Sequence, residues 1–492
     1  MVRALPPRPI VYEVNTAIWL TELRARHGAA VTLGSVPSAE WDHLAATGAH
    51  AVWLMGVWER SPEGLRVALA NQNLWRDFRA ALPDVTEADI LASPYCVRRY
   101  HVDQRFGGDS GLAAARAALA ARGMSLVLDF VPNHVARDHP WVAEHPEWFI
   151  QGTPDDLARE PDGYFQSGPF VIACGRDPYF PPWSDVAQVA AYSAGLRAAF
   201  VSTLRDLAGQ CDGVRCDMAM LLMNDIVART WGSRAGPVPH DEFWPFVISS
   251  VRAQAPEFRF IAEAYWDLEW ALLQQGFDYC YDKRLYDRLE HEPATSVDAH
   301  LQADPWYQEH LVRFLENHDE PRAAATLGDR QPAAAALILA APGAKLLYEG
   351  QLEGRRVRPP VFLQRRPDEP VNVAIEQFYA SILPDAGSAV FRHGQWVRPE
   401  RRGWPDNDTW RSLLACAWWL DDERRLVVVN LSGAHAQARI ALPWADVAGS
   451  AWQLQDLASG RSYDRDGLEL ATDGLYIDLP AWGVHWFTLV TR

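Results

Sequence analysis

Eight short apolar segments between residues 9 and 351 alternate with segments of helical periodicity. This alternation is typical of βα units, in which a helix connects one parallel strand to the next. Eight such units favour an α/β fold of the (β/α)8 TIM-barrel type over an open doubly wound sheet, and the sequence has no Gly-rich dinucleotide-binding fingerprint. The strand candidates are PIVYEVN, HAVWLMGVW, MSLVLDFVPNH, DGVRCD, FRFIAEAYW, FDYCYD, LVRFLENHD and AKLLYEGQ.

Two connections, at about 58–125 and 133–213, are too long for a plain βα unit. The second begins with a stretch rich in Pro, Gly and aromatic residues, which predicts an irregular subdomain inserted after the third strand. Beyond about residue 400, short strand-like runs separated by turns predict a C-terminal antiparallel β-sandwich. The predicted domains are a barrel at 1–134 and 190–395, an inserted domain at 135–189 and a sandwich at 396–492.

Composition narrows the class of protein. The chain has 492 residues, 49% of them hydrophobic, which allows a large core, and its net charge of −17 argues against a nucleic-acid partner. No apolar run is long enough to span a bilayer, and the N-terminal residues do not resemble a secretion signal. The six cysteines are scattered, without a C-x-x-C pair, and are expected to be reduced thiols of a cytoplasmic protein. The oligomeric state is left open.

Acidic residues lie at the ends of four strand candidates. Asp129 ends SLVLD, Asp217 ends GVRCD, Glu263 follows FRFIA and Asp319 ends LVRFLENHD. Each one alone is better explained as a helix cap or a salt bridge at a strand end. In a (β/α)8 barrel, however, the C-terminal ends of the strands converge on one face. We therefore expect the four carboxyl groups to point into one cleft.

Such a cluster of carboxyl groups is suited to glycoside cleavage. Crowding separates the pKa values of the carboxyl groups, so that one remains ionised while another remains protonated. Arg215 lies on the same strand face as Asp217 and should keep that carboxylate ionised. Glu263 is flanked by apolar and aromatic residues, which should raise its pKa. The pattern predicts Asp217 as a nucleophile and Glu263 as a general acid/base.

A metal site is the competing interpretation of acid-rich strand ends. Asp129, His134, His318 and Asp319 carry atoms that could ligate a metal ion. The sequence has no H-x-H or H-E-x-x-H spacing, and the two histidines are also natural donors to sugar hydroxyl groups. We therefore rank the metal site lower and predict no metal ligands.

Four segments resemble, in order, the signature regions of the α-amylase family of retaining glycoside hydrolases and transglycosylases. DFVPNH resembles the first region, GVRCD the second, IAEAYW the third and FLENHDEPR the fourth. SPYCVRRYHVDQRFGG resembles the segment that leads into the third strand of the family's barrel. The resemblance extends from about residue 9 to the C-terminus, and four motifs in order are far more specific than one.

The resemblance implies a role for each matching residue. Asp217 and Glu263 match the nucleophile and the acid/base, and Asp319 matches the acid that stabilises the transition state. Tyr95 matches a tyrosine that stacks on the sugar at the scissile bond. The other implied site residues are the substrate-binding His134, Arg215 and His318 and the supporting Asp129, Asn133 and Asn317.

Three residues near the motifs have two interpretations each. Arg322, in NHDEPR, is a candidate to hold a sugar hydroxyl, and a surface salt bridge is the alternative. Tyr179 and Trp183, in RDPYFPPW, are candidates for the wall of the cleft, and core packing of the inserted domain is the alternative.

The chain also departs from the family pattern. Many starch-cleaving members carry a Lys-His pair shortly after the nucleophile, at the rim of the leaving-group side of the cleft, where this sequence has Met220 and Leu221. Without those hydrogen-bond donors, we expect short substrates rather than long polymers. The same change weakens the family's calcium site, which Asn133 alone does not form, and no other cofactor is implied.

Three functions remain compatible with these residues. The first is a retaining hydrolase that cleaves α-glucosidic bonds of short α-glucans or α-glucosides. The second is a transglycosylase or glucoside isomerase on the same scaffold, which passes the glycosyl group to a sugar instead of water. The third is a non-catalytic carbohydrate-binding or interaction protein, against which the complete set of Asp217, Glu263 and Asp319 argues.

Overall fold

The computed structural model describes residues 2–492 and has a closed parallel barrel at its centre. Within the described residues, eight strands close this barrel, and each coincides with one of the eight predicted segments. The (β/α)8 prediction is therefore confirmed. In chain order the strands are β1 Ile10–Asn15, β2 Ala51–Met55, β3 Ser125–Phe130, β4 Gly213–Cys216, β5 Arg259–Ala262, β6 Tyr279–Tyr281, β7 Leu311–Arg313 and β8 Ala344–Tyr348.

The register of the barrel aligns the polar residues at its C-terminal end. Arg215 of β4 lies opposite Asp129 of β3. Backbone pairing continues one residue beyond β4 and β5, because the N–H of Asp217 donates to β3 at 2.9 Å and that of Glu263 donates to β4 at 3.1 Å. The backbone itself therefore fixes these acidic residues at the mouth of the barrel.

Helices cover the outside of the barrel, so the strands are buried on both faces. The alanine-rich helix Gly108–Ala121 buries Leu112, Ala115 and Leu119, whose spacing of three and four residues forms one apolar face. The longer helices are Thr16–His27, Ser38–Ala46, Pro62–Ala70, Gln72–Ala81, Gly108–Ala121, Ala194–Gln210, Asn224–Trp231, Phe243–Arg252, Lys283–His291, Gln331–Ala340 and Val373–Ala386.

The long connection between β2 and β3 is folded. It contains the antiparallel strands Trp58–Arg60 and Val97–Val102, with the helices Pro62–Ala70 and Gln72–Ala81 between them. The helix Gln72–Ala81 begins at Asn71, whose side chain accepts hydrogen bonds from the backbone of the first turn. These helices form one wall of the cleft described below.

The segment inserted after β3 is more regular than the sequence indicates. It forms a four-stranded antiparallel sheet in the spatial order His134–Ala136, Trp183–Gln188, Phe170–Gly175 and Tyr164–Ser167. These strands are only three to six residues long. Pro, Gly and a bulge between Cys174 and Gly175 interrupt the alternation that marks a strand.

The C-terminal region consists of antiparallel sheets, as predicted. In the described chain a six-stranded sheet begins with Gln395–Val397, and a three-stranded sheet lies beside it. The sequence analysis did not indicate four strands of these sheets, which are Gln395–Val397, Arg401–Arg402, Ala451–Asp456 and Ser462–Asp466. The other strands are Leu413–Leu420, Glu423–Asn430, Ala436–Ile440, Leu475–Leu479 and Val484–Thr491.

Two further features bear on the sequence predictions. Among residues 2–492, none of the helices combines the length and the apolar character needed to cross a lipid bilayer. All six cysteines are buried and unpaired. Burial strongly raises the pKa of the Cys216 thiol, next to the predicted nucleophile, so this thiol remains protonated.

Candidate active site

One arginine gathers four acidic side chains, three at the ends of β3, β4 and β5 and the fourth, Asp319, in the loop that follows β7. Arg215 Nη1 lies 2.6 Å from Asp217 Oδ1 and 3.8 Å from Asp129 Oδ1. Arg215 Nη2 lies 2.6 Å from Glu263 Oε1 and 3.9 Å from Asp319 Oδ2. The contact with Glu263 is a close ion pair whose angle does not make a hydrogen bond. The structure thus brings together the four carboxyl groups that the sequence predicted to share a cleft.

The charge of Arg215 is almost completely removed from water. Its side chain is 1% exposed, and its guanidinium lies 5.2–5.8 Å from the ring centroids of Trp53, Tyr95 and Tyr281. A buried charge is tolerated only when it is paired, and aromatic faces add a further attraction for a guanidinium. Arg215 is therefore a fixed cation around which the acids are arranged.

A strained residue connects the two central carboxyl groups. Met218, directly after Asp217, has a φ of 42°, in the left-handed region that non-glycine residues rarely adopt. This conformation lets the Met218 N–H donate to Glu263 Oε2 at 2.6 Å. Strain of this kind is typical of functional sites, and sequence reasoning missed it because nothing local marks the residue.

Glu263 has the environment of a carboxylic acid that holds its proton near neutral pH. Burial raises the pKa of Glu263 to about 7, against the opposing charge of Arg215. Besides the Met218 N–H, the Tyr265 hydroxyl donates to Glu263 Oε1 at 3.2 Å. The expectation that apolar and aromatic neighbours would raise this pKa agrees with the geometry.

Asp319 has the opposite electrostatic character. Its side chain is 44% exposed, so it lies at the mouth of the site. Burial would raise the pKa of Asp319, but the charge and the hydrogen bond of His318 outweigh burial and lower it to about 2. The two atoms involved, His318 Nε2 and Asp319 Oδ2, are 2.8 Å apart. Asp319 is therefore a permanent carboxylate facing the cleft.

His318 is held from its other side by Glu13, a residue that the sequence analysis did not single out. His318 Nδ1 lies 2.5 Å from Glu13 Oε1 at the centre of β1. The only signal in the sequence is one charged residue inside the otherwise uncharged strand IVYEVN. Its partner is 305 positions away along the chain, so local patterns could not identify the pair.

Asp129 lies behind the site, where its predicted supporting role places it. Burial raises the pKa of Asp129 to about 6, although Arg215 opposes this shift. Its Oδ2 accepts a hydrogen bond from the Gly56 N–H at 2.9 Å, and its backbone carbonyl accepts one from the Trp58 indole at 2.8 Å. Asp129 thereby connects the β2 and β3 strand ends below Arg215.

Tyr95 and His134 line the cleft. The Tyr95 hydroxyl lies 2.7 Å from His318 Nε2, and the two rings stack at a centroid distance of 5.3 Å. His134 packs edge-on against Trp183 at 5.2 Å, and burial lowers the pKa of His134, which favours its neutral form. Tyr95, His134 and Trp183, together with Ser93, border a cavity of about 340 Å³ whose lining does not include Asp217, Glu263 or Asp319. Trp183 therefore forms part of the wall.

Asn133 and Asn317 hold backbone and side chains rather than a ligand. The side chain of Gln188 donates to Asn133 Oδ1 at 3.0 Å. Asn317 Oδ1 accepts from the N–H groups of Asp319 and Glu320, each at 2.9 Å, and so fixes the turn that presents Asp319.

The environment of Asn133 does not fit a calcium site. Its amide oxygen, the atom that would ligate calcium, already accepts the hydrogen bond from Gln188, which is itself buried. In the part of the chain that the structure describes, no three His, Cys, Asp or Glu side chains are placed to share a metal ion.

The structure does not place Arg322 on the cleft. Its side chain is fully buried, and Nη1 donates to Glu316 Oε1 at 2.7 Å and to the Glu349 carbonyl at 2.9 Å. The guanidinium also lies 4.1 Å from the Tyr348 ring centroid. Arg322 therefore connects the loop after β7 to the residue that follows β8. Its salt bridge is buried, whereas the alternative in the sequence analysis was a salt bridge on the surface.

The side chains after the nucleophile also differ from their expected position. Met220 and Leu221 are 0% and 4% exposed, because the short turn Ala219–Leu222 packs them into the core. The expectation that they form a rim of the cleft is wrong. Exposed aromatic residues are found instead on the inserted domain, where Tyr179 and Phe180 are 57% and 67% exposed.

Tyr179 connects the inserted domain to the loop after β5. Its ring packs edge-on against Trp266 at 4.8 Å, and its hydroxyl accepts from Arg229 at 3.2 Å. Trp266 follows Glu263 by three residues and has a φ of 64°. The aromatic pair therefore lies beside the loop that carries the acid/base candidate, and Tyr179 is not simply a core residue of the inserted domain.

The arrangement combines an ionised and a protonated carboxyl group around one cation. Asp217 accepts from Arg215, Glu263 retains a proton near pH 7, and Asp319 is ionised at the cleft mouth. This equipment can attack an electrophilic carbon with one group while another protonates the departing oxygen. The barrel face on which it lies is the one that carries the catalytic groups in (β/α)8 enzymes.

Comparisons with known proteins agree with this reading. No family model matches the chain. Over 256 residues it is 26% identical to the α-amylase MalA of Haloarcula japonica, covering 48% of this chain and 33% of that protein. Over 240 residues it is 25% identical to an α-1,4-glucan:maltose-1-phosphate maltosyltransferase of Pseudomonas aeruginosa, covering 47% and 31%. The match thus spans about a third of each relative's length.

A solved structure shares the whole architecture. The noncanonic maltogenic α-amylase AmyB of Thermotoga neapolitana superposes with a TM-score of 0.68 at 18% identity, covering 99% of each chain. At this identity the likeness establishes the fold alone. The aligned sequence relatives are named α-amylase and maltosyltransferase, which agrees with the family that the ordered motifs resemble.

Proposed function

We propose that the protein is a retaining enzyme that cleaves α-glucosidic bonds of short α-glucans or α-glucosides by double displacement. The observation that carries the proposal is the contact of one buried guanidinium, Arg215, with both Asp217 and Glu263 at 2.6 Å. Two neighbouring carboxyl groups, one placed to attack the sugar and the other to supply a proton, are what a retaining mechanism needs. The relatives named α-amylase and maltosyltransferase support the same class of reaction.

The first step forms a covalent intermediate. Asp217 attacks the anomeric carbon, and the bond from that carbon to the leaving oxygen breaks as Glu263 gives its proton to the oxygen. The product is a β-glycosyl ester on Asp217. In the second step Glu263, now a carboxylate, takes a proton from water, and the resulting hydroxyl group displaces Asp217 with a second inversion.

The surrounding residues bind and orient the sugar. Asp319 is ionised and exposed, so it can accept hydrogen bonds from ring hydroxyl groups and favour the positive charge that develops in the transition state. Tyr95 and His134 border the cavity, where a ring face and a nitrogen donor can contact the same sugar.

Glycosyl transfer to a sugar is the second candidate function. The exposed rings of Tyr179 and Phe180, with Trp266 beside the acid/base loop, offer a stacking surface for a sugar acceptor. The maltosyltransferase relative supports this alternative. We also propose a cytoplasmic location, which the six unpaired, buried cysteines support.

Product analysis distinguishes the two candidates. The purified protein is incubated with maltose, maltotriose, isomaltose, trehalose, sucrose and soluble starch, and the products are followed by anomeric proton NMR and chromatography. Release of glucose or short oligosaccharides as the α-anomer supports a retaining hydrolase. New oligosaccharides or an isomerised disaccharide support transfer. A β-anomer as first product, or no product from any α-glucoside, contradicts the proposal.

We predict that kcat/KM is highest for disaccharides or short oligosaccharides. Met220 and Leu221 are buried, so the position after the nucleophile supplies no hydrogen-bond donors to additional sugars. The measurement is kcat/KM across a maltooligosaccharide series. A steady rise to long chains, with starch as the best substrate, would show that other loops supply those contacts.

We further predict that activity on natural substrates falls as the pH rises through about 7. Glu263 must carry a proton to protonate the leaving oxygen, and it loses that proton above its pKa of about 7. An α-glucosyl fluoride, whose leaving group needs little protonation, should not show this basic limb in its glycosylation step. The check is kcat/KM against pH for both substrates, and identical basic limbs would contradict the role of Glu263.

A further inference from the structure

Glu13, His318 and Asp319 form a continuous chain of polar contacts at the mouth of the barrel. Glu13 Oε1 lies 2.5 Å from His318 Nδ1, and His318 Nε2 lies 2.8 Å from Asp319 Oδ2. Glu13 and His318 are fully buried, whereas Asp319 is exposed to the cleft. One imidazole ring thus joins a buried carboxyl group to the carboxylate that faces the substrate.

Hydrogen-bond chemistry restricts the state of this ring. A neutral imidazole has one N–H donor and one nitrogen acceptor, whereas an imidazolium has donors on both nitrogens. Both carboxylates can accept from this ring only if both nitrogens carry hydrogen. A neutral ring would instead donate to Glu13 and accept from the Tyr95 hydroxyl, 2.7 Å from Nε2, which would leave Asp319 without its histidine donor. The Glu13 Oε2 atom is buried and has no hydrogen-bond partner among residues 2–492, so the charge of this carboxylate is compensated chiefly through His318.

We propose that Glu13 is a positioning residue that keeps His318 protonated and turned so that its Nε2–H is directed at Asp319. This inference rests on the proposed function, since it concerns the carboxylate assigned to the sugar. Glu13 does not touch the substrate; it acts through His318. Its effect is to hold Asp319 ionised and in a fixed orientation before the substrate arrives.

The remaining surroundings favour the same state. Asp319 and Glu13 together raise the pKa of His318 well above its ordinary value, although burial alone would lower it. Trp53 packs edge-on against the ring at 5.5 Å and keeps water away from that side. The titratable and charged groups that face Glu13 or His318 from the other elements are Tyr95, Asp129, Tyr281, Glu316, Asp319 and Tyr348.

The direct test is the protonation state of His318, which does not depend on catalysis. The protein is labelled with nitrogen-15 histidine, the His318 resonances are assigned with a His318→Asn variant, and both are followed from pH 5.5 to 8.5. We expect both ring nitrogens of His318 to remain protonated across this range in the natural protein. In Glu13→Gln, which has the same shape but no charge, His318 should titrate near its ordinary pKa of about 6.5.

In kinetic measurements, the loss of kcat/KM in Glu13→Gln should depend on pH. With α-glucosyl fluoride as substrate, kcat/KM of Glu13→Gln should be close to that of the natural enzyme at pH 5.5. At pH 7.5 it should be about tenfold lower, because only about one histidine in ten is protonated one unit above a pKa of 6.5. A residue that merely fills space would lower activity equally at every pH.

The conservative variant Glu13→Asp is the matched control. It retains the carboxylate, so it should preserve a charged His318 and most of the natural pH dependence, even if packing is slightly altered. Titration of His318 near pH 6.5 in the natural protein would overturn the inference, and this result is accessible even if Glu13→Gln fails to fold. A loss of kcat/KM in Glu13→Gln that is equal at every pH would also overturn the inference. Absence of activity in the natural enzyme would instead contradict the proposed function. The NMR titration does not depend on activity, so it would still test the inference about Glu13.

Discussion

Replacement of Asp217 by asparagine is expected to abolish turnover while the fold remains intact. The amide cannot attack the anomeric carbon, but its oxygen can still accept the hydrogen bond that Arg215 Nη1 now gives at 2.6 Å. Loss of the covalent catalyst should lower kcat by about 10⁴-fold or more, which corresponds to about 5 kcal/mol of activation free energy. The measurement is kcat on the best substrate of the panel.

Two controls are needed to interpret this variant. Asp42→Asn makes the same chemical change at an exposed side chain that pairs with Arg122 on a surface helix, so it should leave kcat unchanged. Circular dichroism and the melting temperature verify the fold of Asp217→Asn, and mass spectrometry verifies that the amide has not deamidated. Near-normal turnover by the folded, intact variant would remove Asp217 from the role of nucleophile.

Replacement of Glu263 by glutamine should slow natural substrates far more than activated aryl α-glucosides. Natural leaving groups require the proton that Glu263 supplies, and loss of a general acid costs about 10²–10⁴-fold. An aryl leaving group departs without that proton, so the first step should survive. The second step lacks its base, and added azide, which needs none, should restore turnover. Because azide displaces Asp217 from the β-ester with inversion, the product should be an α-glycosyl azide. The measurement is kcat on both substrate types with and without azide.

Glu257→Gln provides the matched control for this substitution. Glu257 lies just before the opposite end of β5, is largely exposed and pairs only weakly with Arg259 at 3.3 Å. It should behave like the natural enzyme on every substrate. If Glu263→Gln lost activity equally on natural and aryl substrates and azide had no effect, Glu263 would have a structural role beside Arg215.

The barrel and its acidic cluster could be predicted from the sequence because their signals are local. Each strand is a short apolar run, and Asp129, Asp217 and Glu263 lie within one residue of a strand end. Once eight parallel strands close, topology alone brings their C-terminal ends to one face. The convergence on Arg215 therefore follows from strand spacing, without knowledge of any loop.

The parts that could not be predicted depend on long-range packing. Glu13 and His318 are 305 positions apart, and neither has a neighbour in sequence that indicates the pair. The burial of Met220 and Leu221 results from a tight turn after β4, whereas their place in the motif suggested the cleft rim. Arg322 is the last residue of the fourth motif, but its salt bridge with Glu316 holds it in the core.

The most direct test of the account is to trap the covalent intermediate. In 5-fluoro-α-glucosyl fluoride, the leaving fluoride lets the first step proceed, and the ring fluorine slows hydrolysis of the ester. We predict that the natural enzyme gains the mass of one fluoroglucosyl group, that peptide mapping places it on Asp217, and that Asp217→Asn gains none. A label on another carboxyl group, or turnover of natural substrates to an inverted product without any trapped ester, would contradict the double-displacement mechanism.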